Sequence, residues 1–221
     1  MIRQARFELP PDATQLLLVR HGESAGFVPS RPPPLLAGQA DPPLDPVGER
    51  EAELVAVRLS GEPITSIYRS PLRRTAQTAA PLAQRLGLTA QVEANLREVF
   101  LGEVDGRNLR VLAADGREDV RQALREERWE LLPGAESQAD FAARVRVAIE
   151  GIAKRHPGEA VAVFTHGGVI GEVLAAATGS TPHSFTGADN ASVTHLVVTR
   201  RRWIVRSFND TGHLRSIVAA V

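Results

Sequence analysis

Cysteine is absent from all 221 residues. That excludes disulfides, thiolate metal sites and any phosphatase chemistry that starts from a cysteine nucleophile. Lysine is almost as scarce: Lys154 is the single example, so no Gly-Lys-Ser/Thr phosphate loop exists and ATP chemistry of that type is out. No Asp-x-Asp pair occurs, which argues against an aspartyl-phosphate mechanism built on that signature. There is no surplus of either charge, with 26 Lys+Arg against 26 Asp+Glu. A nucleic-acid or membrane-surface partner favours a basic excess, so neither is expected. Long apolar runs are also missing. LLLV, ending at Val19, is too short for a signal-peptide core, and nothing approaches a membrane span, so a cytoplasmic location is expected. Covalent catalysis, if present, must rest on His, Ser, Thr, Glu or a lone Asp.

Hydrophobic residues make up 43% of the chain, enough for one sizeable core in a single domain over residues 1–221. Seven of the 15 prolines fall between residues 29 and 46. They predict an extended loop, placed at residues 25–44, either a surface connector or a loop lying over whatever site forms near His21. Elsewhere strand and helix signals alternate. Leu16–Val19, Thr65–Tyr68 and Ala160–Phe164 read as buried strands. Asp45-Pro46 reads as the start of a helix carrying Ala52, Val55, Ala56 and Leu59. Ser70-Pro71 reads as the start of another, with Leu72, Ala76, Ala79, Ala80 and Ala83 inward and Gly87 as its stop. Residues 108–128 read as one charged helix, and Ser137-x-x-Asp140 as a capping box opening a further helix. Val193–Val198 and Trp203–Ser207 read as a hairpin turning at Arg200–Arg202. The predicted fold is an α/β three-layer sandwich with a mainly parallel central sheet flanked by helices. Residues 99–136 are a candidate small cap.

Two segments share one design. LLLV runs into Arg20-His21-Gly22, and AVAVF runs into Thr165-His166-Gly167-Gly168. Each puts a histidine just past the carboxyl end of a buried strand, the edge where open α/β sheets bind ligands. A following glycine lets backbone N–H groups approach an anion. One histidine after a strand is most often structural; two in matching settings make that reading much weaker. Arg20 adds a fixed positive charge suited to phosphate, and an arginine in the first turn of the SPLRRTAQTA helix adds another. His156 sits at a helix end and is expected to serve as a cap, while His183, His195 and His213 are expected to be structural or exposed. Glu136 in PGAES is a candidate for the pocket mouth.

These motifs resemble the histidine phosphatase superfamily, the phosphoglycerate mutase-like proteins, from about Gln15 to Leu214. Arg20-His21-Gly22-Glu23-Ser24, SPLRRTAQTA, LREVFLGEVDG and FTHGGVI carry the resemblance. It implies that His21 is a nucleophile forming a phosphohistidine and that Glu98 is the proton donor to the leaving oxygen. It implies that Arg20, Arg74, His166 and the Gly167 backbone N–H bind the phosphoryl oxygens. No metal and no cofactor are implied, and the partner is a small phosphorylated substrate. Two departures stand out. Thr75 replaces the usual alanine, and the asparagine usually found shortly after Arg-His-Gly-Glu is missing, with Gln39 and Ser24 the candidates to fill its place.

Phosphate ester hydrolysis is the leading expectation. A mutase that returns phosphate to a second hydroxyl is the first alternative; the short stretch from Val99 to Glu136 favours hydrolysis, since a mutase must keep water out. A non-catalytic phosphate-binding module is the other class, and the presence of His21, Arg74, Glu98 and His166 speaks against it.

Overall fold

Strand β1 (Thr14–Arg20) is buried on both faces, and this is why its sequence is an unbroken apolar run. Leu16 and Leu18 enter one core, and Leu17 and Val19 the other. The computed structural model describes residues 7–28, 30–185 and 187–215. Pro29 of the proline-rich loop, and the two ends of the domain expected over 1–221, lie outside the described residues.

After β1 the chain runs through β2 (Leu35–Leu36), β3 (Gln39–Ala40), α1 (Pro46–Leu59), β4 (Ile64–Arg69), α2 (Arg73–Leu86) and β5 (Ala90–Val92). It continues through α3 (Leu109–Ala114), α4 (Glu118–Glu126), α5 (Gln138–Arg155), β6 (Ala160–Thr165), α6 (Gly167–Thr178), β7 (Val193–Val198) and β8 (Trp203–Asp210). The main sheet has the order β5-β4-β6-β1-β7-β8. Its first four strands are parallel, and β7 and β8 add two antiparallel pairings, so the sheet is mixed. The α1 and α2 residues Val55, Leu59 and Leu82 cover one face, with Phe164 and Ile67. Phe141, Ile149, Ile170 and Leu174 of α5 and α6 cover the other. The expected three-layer α/β sandwich is present. Among the described residues no helix is long and apolar enough to cross a membrane.

Helix α1 starts as its sequence indicates: the Asp45 carboxylate accepts from Gly48 N at 2.8 Å and Pro46 occupies the first turn. Three expectations need correction. The helix after Ser70-Pro71 begins only at Arg73, because Ser70 N donates to Phe164 O at 3.1 Å and so prolongs the sheet ladder. Ala80 on that helix is exposed, while Thr75 and Thr78 point inward. The helix expected over 108–128 is two helices, broken at Asp115–Arg117, where Gly116 takes φ +94°. Ser137 does cap α5 through Asp140 N at 3.1 Å, but the short Asp140 carboxylate accepts from the Ser137 hydroxyl at 2.7 Å instead of reaching a backbone N–H.

Residues 99–136 close around their own small apolar cluster of Val104, Val120, Ala123 and Leu132. The loop between β1 and α1 ties this unit to the sheet: Ala40 N donates to Asp105 Oδ1 at 2.8 Å, and Arg73 N to Asp41 Oδ1 at 2.5 Å.

Candidate active site

Register alone brings the two histidine motifs together. Arg20 of β1 pairs with Thr165 of the adjacent parallel strand β6, so His21 and His166 leave the sheet side by side. His21 N donates to Thr165 O at 3.0 Å, and the two imidazoles meet edge to face with centroids 5.2 Å apart. Strand β4 lies on the far side of β6 and delivers Ser70 to the same edge, where its hydroxyl lies 2.9 Å from His166 Nε2. Arg74 follows one helical turn later and is buried, while its neighbour Arg73 is exposed.

The His21 ring is held in one tautomer. Its Nδ1 lies 2.7 Å from the Gly22 carbonyl, which can only accept, so Nδ1 carries the proton and Nε2 keeps its lone pair. Gly22 is itself fixed, its N–H donating to Thr78 Oγ1 at 3.0 Å. Burial first, then the charges of Arg74 and Arg20, lower the His21 pKa to about 3 against the opposing Gly22 hydrogen bond. The ring is therefore neutral at pH 7. His166 is fully buried, and the same causes, with the nearby His21 and Arg144, hold its pKa well below the ordinary histidine value.

Positive charge and unpaired donors converge here. Arg20 Nη1 donates to the Ala188 carbonyl and Arg74 Nη1 to Ala40 O at 2.9 Å. Burial lowers the Arg74 pKa, opposed by Glu98, Asp41 and Asp105. Arg20 Nε and His166 Nδ1 are buried with no hydrogen-bond partner among the described residues. Buried polar atoms are nearly always paired, so these two leave hydrogen-bonding capacity at the sheet edge that an added polar group would use. Gly167 is the first residue of α6 and packs against the Arg20 guanidinium, so the helix terminus adds to the same field. Among the described residues no three His, Asp or Glu side chains are arranged to hold a metal ion.

Glu98 approaches from the chain after β5. Its carboxylate accepts from Val99 N and Gly168 N, both at 3.0 Å. Gly168 has to be glycine for this, because a Cβ there would overlap the carboxylate. The Glu98 carbonyl is clamped by Gln39 Nε2 at 2.8 Å and Arg144 Nη2 at 2.9 Å. Arg144 also holds the carbonyls of Asn95 and Arg97 and forms a bidentate pair with Glu136 at 2.6 and 2.8 Å.

Several of these contacts are not evident from sequence. Gln39 braces the backbone of Glu98 and Val99 and does not take a phosphate-facing place; Ser24 sits in a bridge to Leu44. Asn190 donates to His21 O at 3.0 Å. Arg144 carries no motif, and only its contacts reveal it. Glu136 is paired with Arg144 and lines, with Gln39, Arg97 and Glu98, a cavity beside the acid. Thr75 is fully buried, with its hydroxyl 2.9 Å from Ser70 Oγ, so the departure from alanine touches His166 through Ser70. His156 ends α5 and binds Tyr68 and Glu159, and His213 binds the Ala191 carbonyl. His183 lies 3.8 Å from Glu127, and His195 is partly buried on β7.

A family model of the histidine phosphatase superfamily (branch 1) matches residues 16–211. The chain is 32% identical over 207 residues to a probable phosphoglycerate mutase of Yersinia enterocolitica, covering 90% of this chain and 94% of that one. It is 30% identical to a mycobacterial glucosyl-3-phosphoglycerate phosphatase, whose structure superposes with a TM-score of 0.74 over 90% of this chain and 100% of that one. A phosphoglycerate mutase of Bacillus anthracis, 22% identical, shares the fold with a TM-score of 0.77, covering 93% and 96% of the two chains. The paired strand–histidine motifs, the arginines beside them and the match along nearly the whole chain make this protein a member of the histidine phosphatase superfamily.

Proposed function

We propose that this protein hydrolyses small phosphomonoesters through a covalent phosphohistidine on His21. The observation that carries the reading is the neutral His21 ring with Nδ1 tied to Gly22 O and Nε2 left free beside Arg20, Arg74 and His166. In the first step the Nε2 lone pair attacks phosphorus and the ester P–O bond breaks. An alkoxide leaves poorly, so Glu98 passes its proton to the departing oxygen. In the second step water attacks phosphorus and gives its proton to Glu98, and the P–N bond breaks to restore neutral His21. Charge on the equatorial oxygens is met by the Arg20 and Arg74 guanidiniums, by His166 and by the Gly167 N–H. These groups are positioned before the reaction begins, so little reorganisation is required.

The second reading is a mutase, favoured by the name of the Yersinia relative. The mycobacterial relative supports hydrolysis, as does the short segment 99–136, which offers little to retain a diphosphorylated intermediate. Mixing the protein with a radiolabelled phosphomonoester and quenching it should yield acid-labile phosphate on the wild type and none on His21→Ala. Phosphate should be released faster than 3- and 2-phosphoglycerate interconvert. Interconversion without release would establish the mutase instead, and undiminished turnover by His21→Ala would remove the nucleophile assignment. Phosphate binding with neither labelling nor turnover would leave a binding module.

A further inference from the structure

A cavity of about 340 Å³ opens beside Arg20, Glu98 and Gly167, three of the groups assigned above to the phosphate and to the acid. Its walls come from several places, including Gln138 at the start of α5, Gly168 and Gly171 of α6 and Pro182 of the turn that follows. Leu101, Leu109 and Trp129 belong to the 99–136 unit, Phe141 to α5, and Ala188 to the loop before β7. Beyond Arg20 and Glu98, the one titratable side chain among the described residues that lines it is His183, which faces Glu127 and the Trp129 ring. Such a wall gains from apolar contact and has no free guanidinium or ammonium for a second anionic group. A carboxylate or second phosphate placed here would lose its hydration, with Arg20 engaged by the first phosphate and His183 already facing a carboxylate. The volume lies at the small end of ordinary ligand cavities, which run to about 1,000 Å³.

Resting on the hydrolase reading above, we infer that the substrate is a phosphomonoester of a compact, largely apolar alcohol, aryl-alkyl or branched alkyl, whose carbon skeleton packs between Trp129, Leu109 and Phe141. The glycerate skeleton does not fit this chemistry, and a sugar offers hydroxyls where the wall offers methyl groups and rings. The apolar body is held next to Glu98, so burial of the alcohol and protonation of its oxygen occur at one place. Specificity therefore comes from the 99–136 unit and α5, while the sheet edge supplies the phosphate chemistry.

The test compares 2-phenylethyl phosphate with glycerol 3-phosphate and 3-phosphoglycerate. All three release a primary alkoxide, so differences in kcat/KM report the cavity and not the leaving group. Burying the phenyl ring should favour 2-phenylethyl phosphate by about 30-fold or more. Trp129→Ala and Leu109→Gln should each remove about 10-fold of that preference, through KM on 2-phenylethyl phosphate. Equal or better kcat/KM on the polar esters by the wild type overturns the inference. So does an equal loss on both kinds of substrate in Leu109→Gln with its melting temperature unchanged. If the hydrolase reading itself fails, no ester releases phosphate and His21 takes no label; if only this inference fails, His21 is labelled and the polar esters are cleaved as well.

Discussion

At the scale of single residues, the state of His21 is decided by three neighbours: the Gly22 carbonyl that fixes its tautomer, the burial that strips its charge, and the two arginines that keep it neutral. The same depression has a consequence for stability. Unfolded, His21 takes up a proton near its ordinary pKa of 6.5; folded, it does so only near about 3. Between those values the unfolded chain binds more protons, so the contribution of His21 to stability is complete above pH 6.5 and is lost progressively as pH falls toward 3. His21→Asn removes this proton linkage. Its denaturant-unfolding free energy should fall less steeply than the wild type's between pH 7 and 4.5, by up to about 3 kcal/mol. Parallel pH profiles would show that His21 is not buried neutral. His21, His166 and Arg20 were legible in sequence because each follows a buried strand within a few residues. Ser70 and Arg144 were not placed in the site, and Gln39 only as a stand-in for the missing asparagine, because the contacts that define them span 96, 46 and 59 positions of chain and carry no local pattern.

At the scale of elements, the sheet register does what the motifs cannot. Unbroken apolar runs locate β1 and β6, but only their parallel pairing, with Arg20 against Thr165, puts two histidines at one edge. Helix starts were less readable. Asp45-Pro46 is a true start because its carboxylate has nothing else to do, whereas the hydroxyl of Ser70 is taken up by His166 and Thr75 and its N–H by the sheet, which defers α2 to Arg73. Local preference yields where tertiary contacts claim the same groups. The first turn of α6 is where element and chemistry meet, since Gly168 N–H holds the Glu98 carboxylate at 3.0 Å. Gly168→Ala sets a methyl group in the space of that carboxylate. The side chain can swing aside, so folding should survive and the melting temperature should change little. Glu98 would leave its working position, and hydrolysis of alkyl phosphates should drop about 100-fold, with aryl phosphates, which need little proton donation, slowed far less. This is the pattern expected of Glu98→Gln, and equal slowing of both classes in Gly168→Ala would argue that Gly168 acts on something other than the acid.

At the scale of the whole molecule, a chain with no net charge concentrates at one sheet edge two guanidiniums, two neutral imidazoles and two buried nitrogens that have no partner among the described residues. Arg74 is kept out of water at some cost, offset only in part by Glu98, Asp41 and Asp105. An oxyanion bound there restores both charge balance and hydrogen bonding, and it does so only in the folded chain. Inorganic phosphate or vanadate should therefore raise the melting temperature in a concentration-dependent way. At 100 times its dissociation constant the ligand adds about 2.7 kcal/mol, which for a chain of this size corresponds to a rise of about 5–10 °C. The loop between β1 and α1 and the 99–136 unit share in the gain, since Ala40 O receives Arg74 and Ala40 N binds Asp105. Arg74→Gln keeps the helix and much of the packing but gives up the charge. It should lose most of the oxyanion-induced rise, while its melting temperature without ligand should hold or increase because a costly buried charge is gone. A full rise retained in Arg74→Gln would place the oxyanion elsewhere on the molecule, and a large drop without ligand would mean that Arg74 serves chiefly to bind the loop at Ala40.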